Sequence, residues 1–340
     1  MDSIRPLDHK AMDEAQKRLD FLLKPKGSLG RLEDIAVQMA GITGKVQNNP
    51  DKRAFMVMCS DNGIVDEGTA SFSRSLSMLV ADCMLRGISG IAVLGKYAGA
   101  DLRIVDLGLE IDPETPGIIN RKIRRSTSNF LQTEAMTREE AIHAIEIGIE
   151  ETNKAMDEGY NLIGTGEVGI GNTTTSSAMM YVFTGKSLDE LVGRGAGLTD
   201  DALAHKKEII RAAIEKHRPD ASDPLDVLTK VGGFDIAGMA GTYIACAARR
   251  VPVVMDGFIS GAAAVLACKL CPEVKNYIFP SHGSAEPGSK AIMEALGMEP
   301  FMYMNMRLGE GTGAALAFHI IGASMYMMNH MGTFGDVGME

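Results

Sequence analysis

Between the apolar run Leu162-Ile163 and a segment of helical period lies Gly164-Thr-Gly-Glu-Val-Gly-Ile-Gly-Asn-Thr-Thr-Thr175, with four glycines in its first eight residues. A strand followed by a glycine-rich turn and a helix restricts the chain to folds that use such junctions, above all the α/β class. The rest of the sequence agrees. Short β-rich apolar runs alternate with longer stretches of helical period, which predicts a largely parallel sheet. Strands are expected at Arg53–Cys59, Asp101–Val105, Leu162–Gly164, Val251–Met255 and Tyr277–Pro280, and helices at Leu76–Leu85, Arg138–Glu158, Asp200–Lys216 and Gly261–Ala267. Glycine-rich turns follow several strands, at 61–68, 164–175, 256–261 and 281–288, and the carboxyl ends of such strands converge on one crevice. The polar, proline-containing stretch Asp112–Thr127 reads as a surface loop. Near the chain ends, Asp8–Leu23 and Thr312–Met331 read as helices that pair in a smaller unit. The expected division is a small helical domain from 1–35 and 312–340 beside a parallel-sheet, Rossmann-like domain from 36–311.

Composition excludes several classes of partner. The formal net charge of 340 residues is −10 and the acidic residues are spread along the chain, which disfavours nucleic acid and anionic membranes. With 5% aromatic residues and no Trp, a base-stacking platform is not expected. The start, Met1-Asp2-Ser3-Ile4-Arg5-Pro6, lacks the layout of a signal peptide, and no uninterrupted apolar run approaches membrane-spanning length, so a cytoplasmic location is expected. The five cysteines lie in apolar settings and read as reduced core residues. Cys268-Lys-Leu-Cys271 has no second CxxC and carries no metal expectation. The methionines at 302, 304 and 306 and those from 325 to 331 read as adaptable core or interface at helical spacing.

The glycine-rich segment suits a phosphate, because a glycine turn at a helix start offers free N–H groups and the positive end of the dipole. Gly164-x-Gly166-x-x-Gly169 matches the dinucleotide fingerprint, and Gly166-x-x-x-x-Gly171-Asn-Thr matches a P-loop with Asn172 where the lysine belongs. A triphosphate would miss that cation, whereas a phosphomonoester needs less. Glu167 inside the loop is odd for either nucleotide reading, since a carboxylate repels phosphate. Glu310, flanked by glycines before an apolar helix, reads by itself as a first-turn acid that complements the dipole. Ser281-His-Gly-Ser-Ala-Glu286 brings hydroxyls and the imidazole of His282 to the crevice, as a base or as a hydrogen-bonded structural group.

Taken together, Lys24–Glu33, Met56–Gly68, Gly164–Thr174, Lys230–Asp235, Val254–Ser260, Pro280–Glu286 and Met306–Ala315 resemble the nicotinate-nucleotide:dimethylbenzimidazole phosphoribosyltransferase family over nearly the whole chain. The resemblance implies transfer of phosphoribosyl from nicotinate mononucleotide to an aromatic base, with inversion to an α-linkage, in cobamide synthesis. It implies Glu310 as catalytic base and Glu167 as a second acid near the acceptor. Phosphate and ribose are expected on Gly169, Gly171, Asn172, Thr173, Thr174, Gly195, Lys206 and Ser284. The acceptor is expected against Phe72, Val80, Val168 and Leu308. No metal or cofactor is implied, and the partner is a second copy or a homologous subunit. Two departures stand out. The family's Asp-His-Gly reads Asp61-Asn62-Gly63, and Phe72 and Val80 stand where a Ser and a Gln face the benzimidazole, so the expected acceptor is dimethylbenzimidazole or, on a more apolar pocket, phenol or p-cresol besides it. Alternatives are a heteromeric subunit whose partner completes the site and a dinucleotide-dependent oxidoreductase.

Overall fold

The computed structural model describes residues 4–113 and 115–339, so residue 114 of the expected surface loop and the extreme ends lie outside the description. Six strands form one sheet: β1 (Arg53–Ser60), β2 (Ala100–Gly108), β3 (Ile119–Asn120), β4 (Leu162–Val168), β5 (Val253–Met255) and β6 (Ile278–Pro280). Their order is β3-β2-β1-β4-β5-β6, with every neighbouring pair parallel. From β1 the chain first builds outward through β2 and β3, then returns to the other side of β1 for β4 to β6. The reversal leaves a crevice beyond the carboxyl ends of β1 and β4, where open parallel sheets bind ligands. The central strands are covered on both faces. In β1 every residue after Arg53 is buried, the near-continuous apolar reading of a doubly covered parallel strand.

The expected strands and helices are present, with three differences. β4 does not end at Gly164 but continues to Val168, so Gly164 and Gly166 are strand residues. The glycines there make room: a Cβ at Gly164 would strike the ring of Phe55, and one at Gly166 would strike the carbonyl of Glu310. The stretch expected to be only a loop contains β3, which pairs with β2 through Val105 and Asp106. Met302, Met304 and Met306 lie in an extended segment rather than a helix, and Met304 is exposed; Met325 and Met328 do lie buried in the helix Thr312–His330. Ser75–Tyr97 is long and apolar enough to span, with a mean hydropathy of 1.6, although it runs as two helices, Ser75–Leu85 and Gly90–Tyr97, broken at the turn after Leu85.

Helices His9–Phe21, Arg31–Thr43 and Thr312–His330 pack together. Arg18 Nε donates to the Met328 carbonyl at 2.9 Å, and Ser324 Oγ to the Leu32 carbonyl at 2.6 Å. Their buried residues, among them Leu19, Ile35 and Phe318, continue directly into the core under the sheet, where Phe318 stacks on Phe55 of β1 at 4.7 Å between ring centroids.

Candidate active site

A cavity of about 520 Å³ opens at the switch point, lined from the ends of β4 and β5 and from the loops before the helices Asp200–His217 and Thr312–His330. One end is a cradle of main chain. The turn Gly169–Gly171 leads into the helix Asn172–Thr184, whose N-terminus has no side-chain cap. Gly169 must be glycine because a Cβ would strike the carbonyl of Ser60, and Gly171 has a left-handed φ of 95°. Lys206 rises from the helix Asp200–His217 and is fully buried; its Nζ donates to Thr173 Oγ1 at 2.9 Å and lies 3.5 Å from the Gly193 carbonyl. Burial lowers the lysine pKa to about 8, opposed by the charge of Glu286. An uncapped helix start with a lysine beside it has the donors and positive charge that suit an anion such as a phosphate.

The carboxylates stand at the other end. Glu167, near the end of β4, accepts from Asn172 Nδ2 with Oε2 and from the Glu310 N–H with Oε1, the latter at 3.4 Å. Burial, with Asp235 and Asp256 close by, pushes its pKa up to about 8. That shift favours the neutral form of Glu167 and so lessens the repulsion that a carboxylate beside a phosphate loop would cause. Glu310 lies in a left-handed turn, with φ 62° between Gly309 at 84° and Gly311 at 105°. It is not a first-turn acid of its own helix, which begins at Thr312; its Oε2 accepts instead from the N–H of Ile91 at 2.9 Å. Asp256, just after β5, secures that turn by accepting from the N–H groups of Gly311, Gly313 and Ala314 at 3.1, 2.7 and 3.2 Å.

Thirteen of the fourteen expected site residues line this one cavity: Glu167, Glu310, Gly169, Gly171, Asn172, Thr173, Gly195, Lys206, Ser284, Phe72, Val80, Val168 and Leu308. Thr174 does not line it; its side chain turns into the protein, where Oγ1 is buried without a partner. Phe72 and Leu308 are half exposed at the rim. His282 lines the cavity with Nδ1 3.0 Å from Ser281 Oγ. Sequence reasoning missed Arg194, Arg307, Asp256 and Glu286, which also line it. Arg307 Nη1 donates to the Gly195 carbonyl at 3.1 Å and so ties two walls together. Of these, Asp256 carried a signal as a polar residue directly after a predicted strand, and Glu286 and Arg307 lay inside segments that the sequence singled out, whereas Arg194 carried none.

The fold with a phosphate cradle at its switch point, facing two carboxyl groups, is that of a phosphoribosyl-transferring enzyme, and a family model described as Phosphoribosyltransferase matches residues 4–339. The chain is 54% identical over 340 residues to the nicotinate-nucleotide–dimethylbenzimidazole phosphoribosyltransferase of Ruminiclostridium cellulolyticum, covering all of this chain and 97% of that protein. It is 53% identical over 338 residues to the protein of the same name from Acetivibrio thermocellus, covering 99% and 96%. The crystal structure of CobT from Thermus thermophilus superposes with a TM-score of 0.93 at 34% identity, over 97% of this chain and 99% of that one. The chain belongs to the nicotinate-nucleotide:dimethylbenzimidazole phosphoribosyltransferase family.

Proposed function

We propose that this protein transfers the phosphoribosyl group of nicotinate mononucleotide to an aromatic base, with inversion at C1′, to make the lower-ligand ribotide of a cobamide. The observation that carries the reading is the meeting of the Gly169–Thr173 cradle and Lys206 with Glu167 and Glu310 in one cavity. The phosphate lies on the cradle and Lys206, and the ribose between Gly195 and Ser284, which directs C1′ toward the carboxyl groups. As the C1′–N bond breaks, its electron pair passes to the pyridine nitrogen and nicotinate leaves, while positive charge spreads over C1′ and the ring oxygen. One ring nitrogen of the acceptor bonds C1′ from the opposite face through its lone pair, while the other ring nitrogen gives up its N–H proton to Glu310, which releases it to solvent. General-base help of this kind is worth about 10²- to 10⁴-fold. The dinucleotide reading loses its support in the same geometry, because Gly164 and Gly166 lie within β4 and do not form the tight turn that fingerprint needs.

The test is direct. Purified protein with nicotinate mononucleotide and dimethylbenzimidazole releases nicotinate and yields an α-linked ribotide, read by chromatography and by the coupling of the anomeric proton. Glu310→Gln, which keeps size but removes the base, lowers kcat by about 10²-fold or more with nucleotide affinity kept. Normal turnover by that variant would overturn the base assignment.

The acceptor subsite supports a wider range. Phe72, Val80, Val168 and Leu308 line it with apolar surface. A phenol or p-cresol has one polar atom, which attacks C1′ and loses its proton to Glu310, and its ring gains about 25 cal/mol per Å² buried. Polar side chains left unpaired against such a ring cost about 1–3 kcal/mol each. Wild type is expected to use phenol, and Phe72→Ser/Val80→Gln to shift kcat/KM toward dimethylbenzimidazole; an unshifted ratio means those residues only pack.

A second copy of the chain is the proposed partner. Leu79, Ile88, Val93 and Tyr97 on the two helices Ser75–Leu85 and Gly90–Tyr97 and the turn between them are all more than half exposed.

A further inference from the structure

We infer that the first turn of the helix Gly90–Tyr97 is the positioning device for the base, with the main-chain N–H of Ile91 fixing the carboxylate of Glu310 and Gly90 leaving the room for it. The inference rests on the reading of Glu310 as the base.

A glutamate has three side-chain torsions, and a base works only when its oxygen is held close to one place. Glu167 accepts from the N–H of Glu310 and Asp256 from that of the next residue, Gly311, but those bonds end at the backbone and leave the Glu310 side chain free to turn. Ile91 supplies the missing restraint. Its N–H donates to Oε2 at 2.9 Å, which leaves Oε1 to take the acceptor's proton. The first-turn N–H of Ala92 is satisfied by Ser89 Oγ at 3.2 Å, so the cap of this helix serves Ala92 and the N–H of Ile91 serves Glu310. Gly90 is required by space. A Cβ there would lie 2.5 Å from Leu308 Cδ2, 3.2 Å from Glu310 Oε2 and 3.3 Å from Thr312 Cγ2. The buried side chain of Ile91 also lies under the base-bearing turn, its Cδ1 3.2 Å from where a Cβ on Gly311 would stand. One residue thus holds the turn by packing and the carboxylate by its N–H.

Ile91→Pro tests this, because proline in a helix's first turn removes one N–H without breaking the helix, and the glycine before it accepts the restriction proline imposes. Ile91→Val keeps the N–H and serves as the rescue. The proline variant is expected to lose on the order of 10²-fold in kcat with KM for nicotinate mononucleotide unchanged, and the valine variant to return kcat to within about threefold of wild type. The proline defect should also shrink across benzimidazoles of rising N–H acidity, which depend less on a base. If Ile91→Pro does not fold, Gly90→Ala, which crowds Oε2 and Leu308, is expected to show the same kcat loss at unchanged nucleotide KM. Wild-type kcat in a folded proline or Gly90→Ala variant, an equal loss in the valine variant, or a defect uniform across acceptors overturns the inference. Glu310→Gln assayed beside them separates the two readings: if it turns over normally the base assignment fails, whereas its inactivity beside an active Ile91→Pro sinks only the positioning.

Discussion

Lys206 sits in surroundings that work against its charge. Burial lowers its pKa to about 8, and the Glu286 carboxylate, itself raised by burial and with one oxygen lacking a partner, offsets this only in part. A phosphate dianion on the Gly169–Thr173 cradle would supply the missing counter-charge. A lysine whose pKa is depressed is charged below that value and neutral above it. The free enzyme is therefore expected to lose the Lys206 cation as pH rises through about 8, and a bound phosphate, on the proposed reading, to hold the proton in place. kcat/KM for nicotinate mononucleotide is expected to fall above about pH 8, with kcat at saturating nucleotide much less affected. Lys206→Met should raise KM about 10- to 100-fold, the worth of one charged hydrogen bond, and abolish that limb of the profile. A limb that persists in Lys206→Met belongs to another group.

At the scale of elements, the helix Phe234–Arg249 begins beneath the phosphate turn and carries a buried acid there. Asp235 lies within 3.3 Å of where a Cβ on Gly169 would stand; neither of its oxygens makes a hydrogen bond of good geometry, though the Ile236 N–H and the Asn172 side chain lie close to it, and Oδ1 of the neighbouring Asn62 has no partner. Burial pushes its pKa up to about 7, from a usual value of 3.8. The folded state thus holds a proton that the unfolded chain releases between about pH 4 and 7, and stability falls as pH rises through that window. Asp235→Asn removes this dependence and offers Asn62 a donor. Its Tm without ligand should exceed that of wild type by several degrees at about pH 8, on the order expected for one or two kcal/mol in a chain of this size, and by less at about pH 5. A variant that melts below wild type at the higher pH would show that the acid is needed as an anion. The same elements explain what sequence could reveal. Arg138–Asp157 was legible because its apolar period starts at a Thr137–Glu140 capping box, and β1 because apolar and small residues run together from Ala54 to Cys59. The true end of β4 was hidden, since Gly164 and Gly166 read as turn formers when their role is close approach to Phe55 and Glu310. Two-residue β3 pairs through main chain alone and leaves no pattern. Glu167 and Glu310 stood out among glycines, but Asp256 acts across 55 residues and Ile91 across 219, separations at which local pattern carries no information.

For the whole molecule, the exposed apolar face of the helices Ser75–Leu85 and Gly90–Tyr97 is the feature that two copies would cover. Tyr97 is 75% exposed and Val93 55%, and Phe72 and Leu308 are half exposed at the rim of the cavity. Two chains of net charge −10 repel each other at a distance, so an association that persists must come from burial of apolar surface and should strengthen as salt screens the charge over about 10 Å at 0.1 M. Wild type is expected to sediment as a dimer at micromolar concentration, more completely in higher salt, and Val93→Asp/Tyr97→Asp as a monomer. If the partner also closes the rim, the monomeric variant should keep its KM for nicotinate mononucleotide, whose cradle is built from one chain, and raise its KM for the aromatic acceptor, whose subsite ends in half-exposed Phe72 and Leu308. A wild type that stays monomeric at every salt concentration, and associates only when a homologous chain is added, would replace the homodimer with a heteromer; unchanged acceptor KM in a monomeric variant would separate the interface from the subsite, because burial of the rim would then contribute nothing to holding the ring.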